Sequence, residues 1–119
     1  MGGRILIVHD DDHFIARAAA ALQAVGNTVT TSSAALEAIH QLDAMTPPDV
    51  LITRMRFGPG RSNGLALARM AHHRHPQIKI IFTALRDFQD DVAGLGKFLA
   101  APVAIPDLVA AVNDALAGS

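Results

Sequence analysis

The residues best suited to chemistry in this sequence follow its first apolar run. His9, Asp10, Asp11 and Asp12 come directly after Ile5-Leu6-Ile7-Val8. Carboxylates at this place could hold a hard cation, and His9 could bind a metal or accept a phosphoryl group. Acids after a strand can equally cap the next helix and stay solvated near its positive end. We favour capping and charge pairing, and keep Asp10 as a weak candidate for a metal ligand.

Apolar runs and helical periodicities alternate along the whole chain, which predicts the elements that position these side chains. Predicted strands cover residues 5–8, 27–31, 50–53, 78–82 and 98–100. Predicted helices cover residues 14–25, a segment capped by Ser33, residues 65–73, a short segment at 87–93, and a last helix that starts near Pro106. The buried face predicted for the first helix carries Phe14, Ala18, Ala21, Leu22 and Val25.

This alternation indicates an α/β protein with a parallel sheet and helices on both faces, because strand–helix–strand connections are right-handed crossovers. In such sheets the functional crevice lies beyond the carboxyl ends of the strands. We therefore expect the residues that end or follow separate strands to meet there: His9 with its neighbouring acids, Arg54, Thr83 and Ala101.

Four segments in this order resemble the receiver domain of response regulators in bacterial two-component signalling. They are ILIV-HDDD at Ile5, PDVLIT-RMRF at Pro48, IKIIFTA at Ile78 and KFLAAP at Lys97, so the resemblance covers almost the whole chain. It implies a single receiver-like domain over residues 1–119. It also implies a three-layer α/β/α sandwich whose five-stranded parallel sheet is flavodoxin-like, doubly wound and ordered 2-1-3-4-5.

The chemical positions of that family are degenerate in this chain. The resemblance places the family's two metal-binding acids on His9 and Asp10, its phosphoacceptor Asp on Arg54, and its Lys before a Pro on Ala101. Arg54 cannot form an acyl phosphate, and Ala101 lacks the cation that would pair with phosphoryl oxygens. Thr83 matches the family's switch Thr or Ser.

The switch positions themselves stay open. Thr83 either keeps a switch role or is an ordinary β-former whose hydroxyl bonds locally, and both interpretations have equal weight. Phe98 matches the aromatic residue that changes rotamer on activation in the family.

A guanidinium in the crevice opposes a divalent cation and can form a bidentate pair with a carboxylate. We predict an ion pair between Arg54 and Asp10 in place of the metal. Binding of Mg²⁺, which prefers hard oxygen ligands, should then be lost or weak, and no other cofactor is expected.

A Gly- and Pro-rich stretch after Arg54 predicts a long exposed loop. Arg56, Phe57 and Arg61 lie in it, and Arg and aromatic residues are enriched at interfaces. We expect this loop to be an interaction surface.

Composition restricts the classes of partner. Ten Lys and Arg oppose eleven Asp and Glu, and there is no Cys, Trp or Tyr. These features argue against DNA binding, base stacking, disulfides and thiolate metal sites, and no apolar run is long enough to cross a bilayer. We expect a cytoplasmic protein without membrane contact.

The sequence favours a non-enzymatic, phosphorylation-independent receiver-like module that binds a signalling protein such as a histidine kinase or a downstream effector. Pairing of two copies stays open. One alternative is a working phosphoryl-accepting receiver that uses Asp10, Asp11 or His9. Another is a module that senses an anion or a nucleotide through Arg54.

Overall fold

The computed structural model describes residues 2–43, 46–54, 64–84 and 94–118. Its strands are β1 (Arg4–Val8), β2 (Thr28–Ser32), β3 (Val50–Arg54), β4 (Lys79–Ala84) and β5 (Lys97–Ala100). Its helices are α1 (Asp12–Ala24), α2 (Ala35–Leu42), α3 (Gly64–Arg74) and α4 (Ile105–Leu116). The short helix predicted at 87–93 and the loop that holds Arg56, Phe57 and Arg61 lie outside the described residues.

The five strands form one parallel sheet in the order β2-β1-β3-β4-β5, which confirms the predicted topology. Alternate residues of β1 face opposite sides: Leu6 packs with α2 and α3, whereas Ile7 packs with α1 and α4. The interiors of β1, β3 and β4 are apolar runs, as expected for strands whose two faces are both covered by helices. None of the described helices is long and apolar enough to span a membrane.

Two details of the predicted helices are wrong. Val25 is 52% exposed, because it is the C-cap of α1 and lies beyond its last turn. Ser33 does not cap α2, whose N-cap is Ala34 without a side-chain bond. The preceding residue, Ser32, holds this turn instead: its hydroxyl donates to the Ala34 carbonyl at 2.9 Å and accepts from the Ala34 N–H at 3.3 Å.

A glycine lets α3 begin directly against the end of β3. A Cβ at Gly64 would lie 1.7 Å from the Arg54 carbonyl oxygen and 2.8 Å from the Thr53 Oγ1. Thr53 is fully buried, and its hydroxyl donates to that same Arg54 carbonyl at 2.9 Å. The backbone that carries Arg54 is therefore held by contacts that leave no room for a side chain at residue 64.

We expect Gly64→Ala to lower the free energy of unfolding by about 1–3 kcal/mol, because the strand end or the helix must shift. Without that contact, the same change in a helix would stabilise the protein by up to about 1 kcal/mol. Urea denaturation measures the difference. The control is Ala20→Ser, at an exposed position of α1, where we expect a change within about 0.5 kcal/mol. A Gly64→Ala protein as stable as the native chain would contradict the close approach.

Candidate functional site

Arg54 and Asp10 form an ion pair at the carboxyl edge of the sheet. Arg54 ends β3, Asp10 follows β1, and the Arg54 Nη1 donates to the Asp10 Oδ1. The predicted pair is thus confirmed. The Arg54 side chain is 44% exposed and that of Asp10 is 27% exposed, so water screens the attraction and it adds at most about 1 kcal/mol to stability. The pair matters through its position, which places a guanidinium in the crevice.

Asp11 serves the helix that follows β1. It is the N-cap of α1, and its Oδ1 accepts the N–H groups of His13 at 3.0 Å and Phe14 at 3.2 Å. The bond from the Phe14 amide, followed by the bond from the His13 amide, lowers the pKa of Asp11 below its ordinary value. The capping role favoured from the sequence is therefore confirmed for Asp11, and it engages the carboxylate with the backbone.

His9 is buried, with 8% of its surface exposed. Its Nδ1 accepts the Asp11 N–H at 3.0 Å and lies 3.8 Å from the Asp10 Oδ1, and its ring centroid is 4.6 Å from that of Phe14. Burial, and then the charge of Arg54, lower the pKa of His9 below its ordinary value, against the opposing effect of Asp10 and Asp11. His9 is consequently a neutral hydrogen-bond acceptor at neutral pH.

A cavity of 540 Å³ lies beside these groups. The sequence-predicted residues His9, Asp11, Arg54, Thr83 and Ala101 all line it. Asp10 is linked to it through Arg54. The structure therefore brings the ends of β1, β3, β4 and β5 together as the predicted sheet requires.

Thr83 has an unusual environment in this cavity. It is opposite Arg54 in the β3–β4 register and is 2% exposed. Its hydroxyl oxygen is buried, and no described residue forms a hydrogen bond with it. The local bonding considered for this hydroxyl from the sequence is not found within the described part of the chain. A switch role for Thr83 stays a prediction.

The two predicted positions on the β5 side differ in burial. Phe98 is half-buried and packs against the core on the α2 and α3 side of the sheet. Ala101 is exposed, and its N–H donates to the Ala84 carbonyl at 2.7 Å. No side-chain cation is available at residue 101, whose methyl group adds only apolar surface to the cavity.

Sequence reasoning missed the contribution of α1 to the cavity. His13, Phe14 and Arg17 line it together with the strand ends. Residues 13 and 17 are one turn apart and so share a face of the helix. Because α1 starts at the carboxyl end of β1, the residues of its first two turns lie near the crevice. Their contribution to it could therefore have been predicted from the sequence.

The donor set at the strand ends can be stated chemically. Asp10 faces a guanidinium, Asp11 caps a helix, and the buried His9 accepts a backbone N–H. Among residues 2–43, 46–54, 64–84 and 94–118, no three His, Asp or Glu side chains are arranged to hold a metal ion. Such a set can pair with anions through Arg54, and it offers no carboxylate at the end of β3.

No protein-family model and no curated protein match this sequence. Solved structures do match it. They include adenylate cyclase from Rhodopirellula baltica (TM-score 0.88, 23% identity, 99% of this chain and 90% of that one). A response regulator receiver domain protein from Clostridium thermocellum gives a TM-score of 0.84 and 23% identity over 98% of this chain and 95% of that one.

The receiver domain of NtrX from Brucella abortus is similar as well, with a TM-score of 0.85 and 21% identity over 97% of this chain and 99% of that one. The chain therefore has the flavodoxin-like fold of response regulator receiver domains, as the resemblance implied. At these identities the likeness concerns the fold, and the activities of the neighbours do not transfer with it.

The neutral state of His9 makes stability depend on pH. Because the folded state resists protonation of His9, the unfolded state binds more protons once the pH falls below the ordinary imidazole pKa of about 6.5. We expect the free energy of unfolding to fall between pH 7.5 and pH 5.5, and to fall less in His9→Asn, whose Oδ1 can still accept the Asp11 N–H. Urea denaturation at both pH values measures this.

His73→Asn is the matched control, since His73 is exposed at the end of α3. It should keep the pH dependence of the native chain. If His9→Asn loses as much stability as the native protein over the same interval, His9 is not the titrating group.

Proposed function

We propose that this chain is a receiver-like module of two-component signalling that works without phosphorylation of its crevice. In this role it is not an enzyme, and it acts by non-covalent binding to another signalling protein, such as a histidine kinase or a downstream effector. The observation that carries the proposal is the position of Arg54. It ends the strand where an acyl phosphate would require a carboxylate, and it pairs with Asp10.

The other groups that could accept a phosphoryl group are engaged elsewhere. Asp10 is paired with Arg54, and Asp11 accepts two amide N–H groups at the start of α1. His9 is buried, and its Nδ1 accepts a backbone N–H. These contacts support a crevice whose candidate phosphoacceptors are engaged within the chain, rather than one that awaits a covalent modification.

The same residues do not fit the magnesium site that the receiver fold implies. Mg²⁺ requires an octahedral set of hard oxygen ligands with one or two carboxylates. Here the carboxylates of Asp10 and Asp11 already bind a guanidinium and helix amides, respectively. A cation would also meet the fixed positive charge of Arg54. We propose that the module acts without Mg²⁺.

Intact-mass spectrometry after incubation with Mg²⁺ and acetyl phosphate tests the proposed lack of phosphorylation. We expect no phosphoryl mass on the native chain, because residue 54 offers no carboxylate. The positive control is the triple variant His9→Asp, Arg54→Asp and Ala101→Lys, which restores the family pattern and should gain one phosphoryl group. A labile phosphoryl group on the native protein would refute the proposal, and fragmentation would then locate it.

Titration with Mg²⁺, followed by amide chemical shifts of residues 9–12 and 83, tests the proposed loss of the metal. We expect no saturable shift for the native chain and saturable binding for His9→Asp combined with Arg54→Asp, which creates a cluster of carboxylates around Asp10. Ala101→Lys alone is the control and should behave like the native chain. Native and double-variant proteins with equal Mg²⁺ affinity would show that Arg54 does not exclude the metal.

A further inference from the structure

The cavity beside Arg54 contains more hydrogen-bond donors than the ion pair uses. A guanidinium carries five N–H donors, and the bond to Asp10 engages Nη1. Arg54 lines the cavity wall itself. The same side chain can therefore hold Asp10 and donate to a second acceptor at the same time, as a planar fork commonly does with carboxylates and phosphates.

Thr83 supplies a second, independent observation. A buried hydroxyl without a hydrogen-bond partner is rare, because its desolvation is not compensated. The Thr83 hydroxyl has no partner in the described residues, and Thr83 stands beside Arg54 in the sheet and lines the same cavity. Rotation about χ1 between staggered positions can turn this hydroxyl to an occupant of the cavity. This hydroxyl is therefore available as a donor to a bound molecule.

The remaining walls specify the character of that molecule. Arg17 adds a second guanidinium, and the lining carboxylate of Asp11 is engaged with the amides of α1. Phe14, Pro102 and Val103 contribute apolar surface to the lining. A cavity of 540 Å³ lies within the range typical of small-molecule sites, in which a few polar groups orient a mainly apolar ligand.

From these contacts we infer that the cavity binds a small organic oxyanion without forming a covalent bond. The oxyanion, a phosphate monoester or a carboxylate, accepts hydrogen bonds from Arg54, Arg17 and Thr83, and a compact apolar group packs against Phe14 and the residues after β5. Such a ligand would give the proposed module a small-molecule input. This inference goes beyond the proposed function and does not depend on it. The two can be tested separately, because reversible binding adds no mass to the chain whereas phosphorylation does.

Phenyl phosphate is a suitable probe, since it joins an oxyanion to a flat apolar ring. We expect saturable shifts of the Thr83, Ala84 and Val103 amides in the isotope-labelled protein, with an affinity about tenfold above that of inorganic phosphate because the ring buries apolar surface. Phenylacetate tests the carboxylate alternative in the same way. No saturable shift with either aromatic anion would overturn the inference.

Two variants test the site itself. Thr83→Val and Arg17→Gln should each weaken binding about tenfold, since each removes a donor to a charged group. The control, Arg69→Gln, removes the same charge from an exposed position of α3 and should leave binding unchanged. Equal weakening by Arg69→Gln, or native affinity in both Thr83→Val and Arg17→Gln, would indicate diffuse electrostatic attraction and refute the site. Arg17 is exposed on α1, so its variant keeps the test decisive if Thr83→Val does not fold.

Intact mass after the titration distinguishes the two proposals. A phosphoryl mass gained from phenyl phosphate would contradict the proposed function, while the variant series would still report on the site. An unchanged mass with saturable, Thr83-dependent shifts would support both.

Discussion

Burial of β1, β3 and β4 on both faces is the constraint on which the other features of this structure depend. A strand covered by helices on both sides favours apolar residues in its interior, so charged and hydroxylated residues collect at or near the strand ends. Parallel pairing then brings those ends to one edge of the sheet. The register that sets Arg54 opposite Thr83, with Asp10 just beyond β1, follows from the packing of apolar residues several positions away.

The sequence predicted this framework well because its signals are redundant. Each central strand contains a run of three or four apolar residues, and the alternation with helices leaves one handedness and one functional edge. The pair of Arg54 and Asp10 could be predicted because the resemblance implies that β1 and β3 are neighbours, so opposite charges at their carboxyl ends lie close together. The predictions were wrong at helix ends, where the identity of a single residue determines the boundary or the cap. Periodicity does not fix a helix end, and so Val25 was assigned to a face and Ser33 to a cap that the backbone does not use.

What the sequence could not provide are properties that belong to several residues at once. The lowered pKa of His9 depends on its burial and on the charge of Arg54. The hydroxyl of Thr83 is unpaired because no described residue near it forms a hydrogen bond with it. Each group is ordinary as a residue type. The place of Arg17 in the crevice is different, because the start of α1 at the carboxyl end of β1 could have indicated it from the sequence.

The positive charge opposite Asp10 is encoded in the chain and persists at any physiological pH, because arginine does not lose its proton. A phosphoryl group on a protein is removed by hydrolysis, and the rate of that reaction sets the lifetime of the modified state. In the proposed function no such hydrolysis limits the lifetime of any state of this crevice. How long the module remains in a given state would be set by the residence time of whatever is bound to it, and its response would follow concentration rather than the history of a modification.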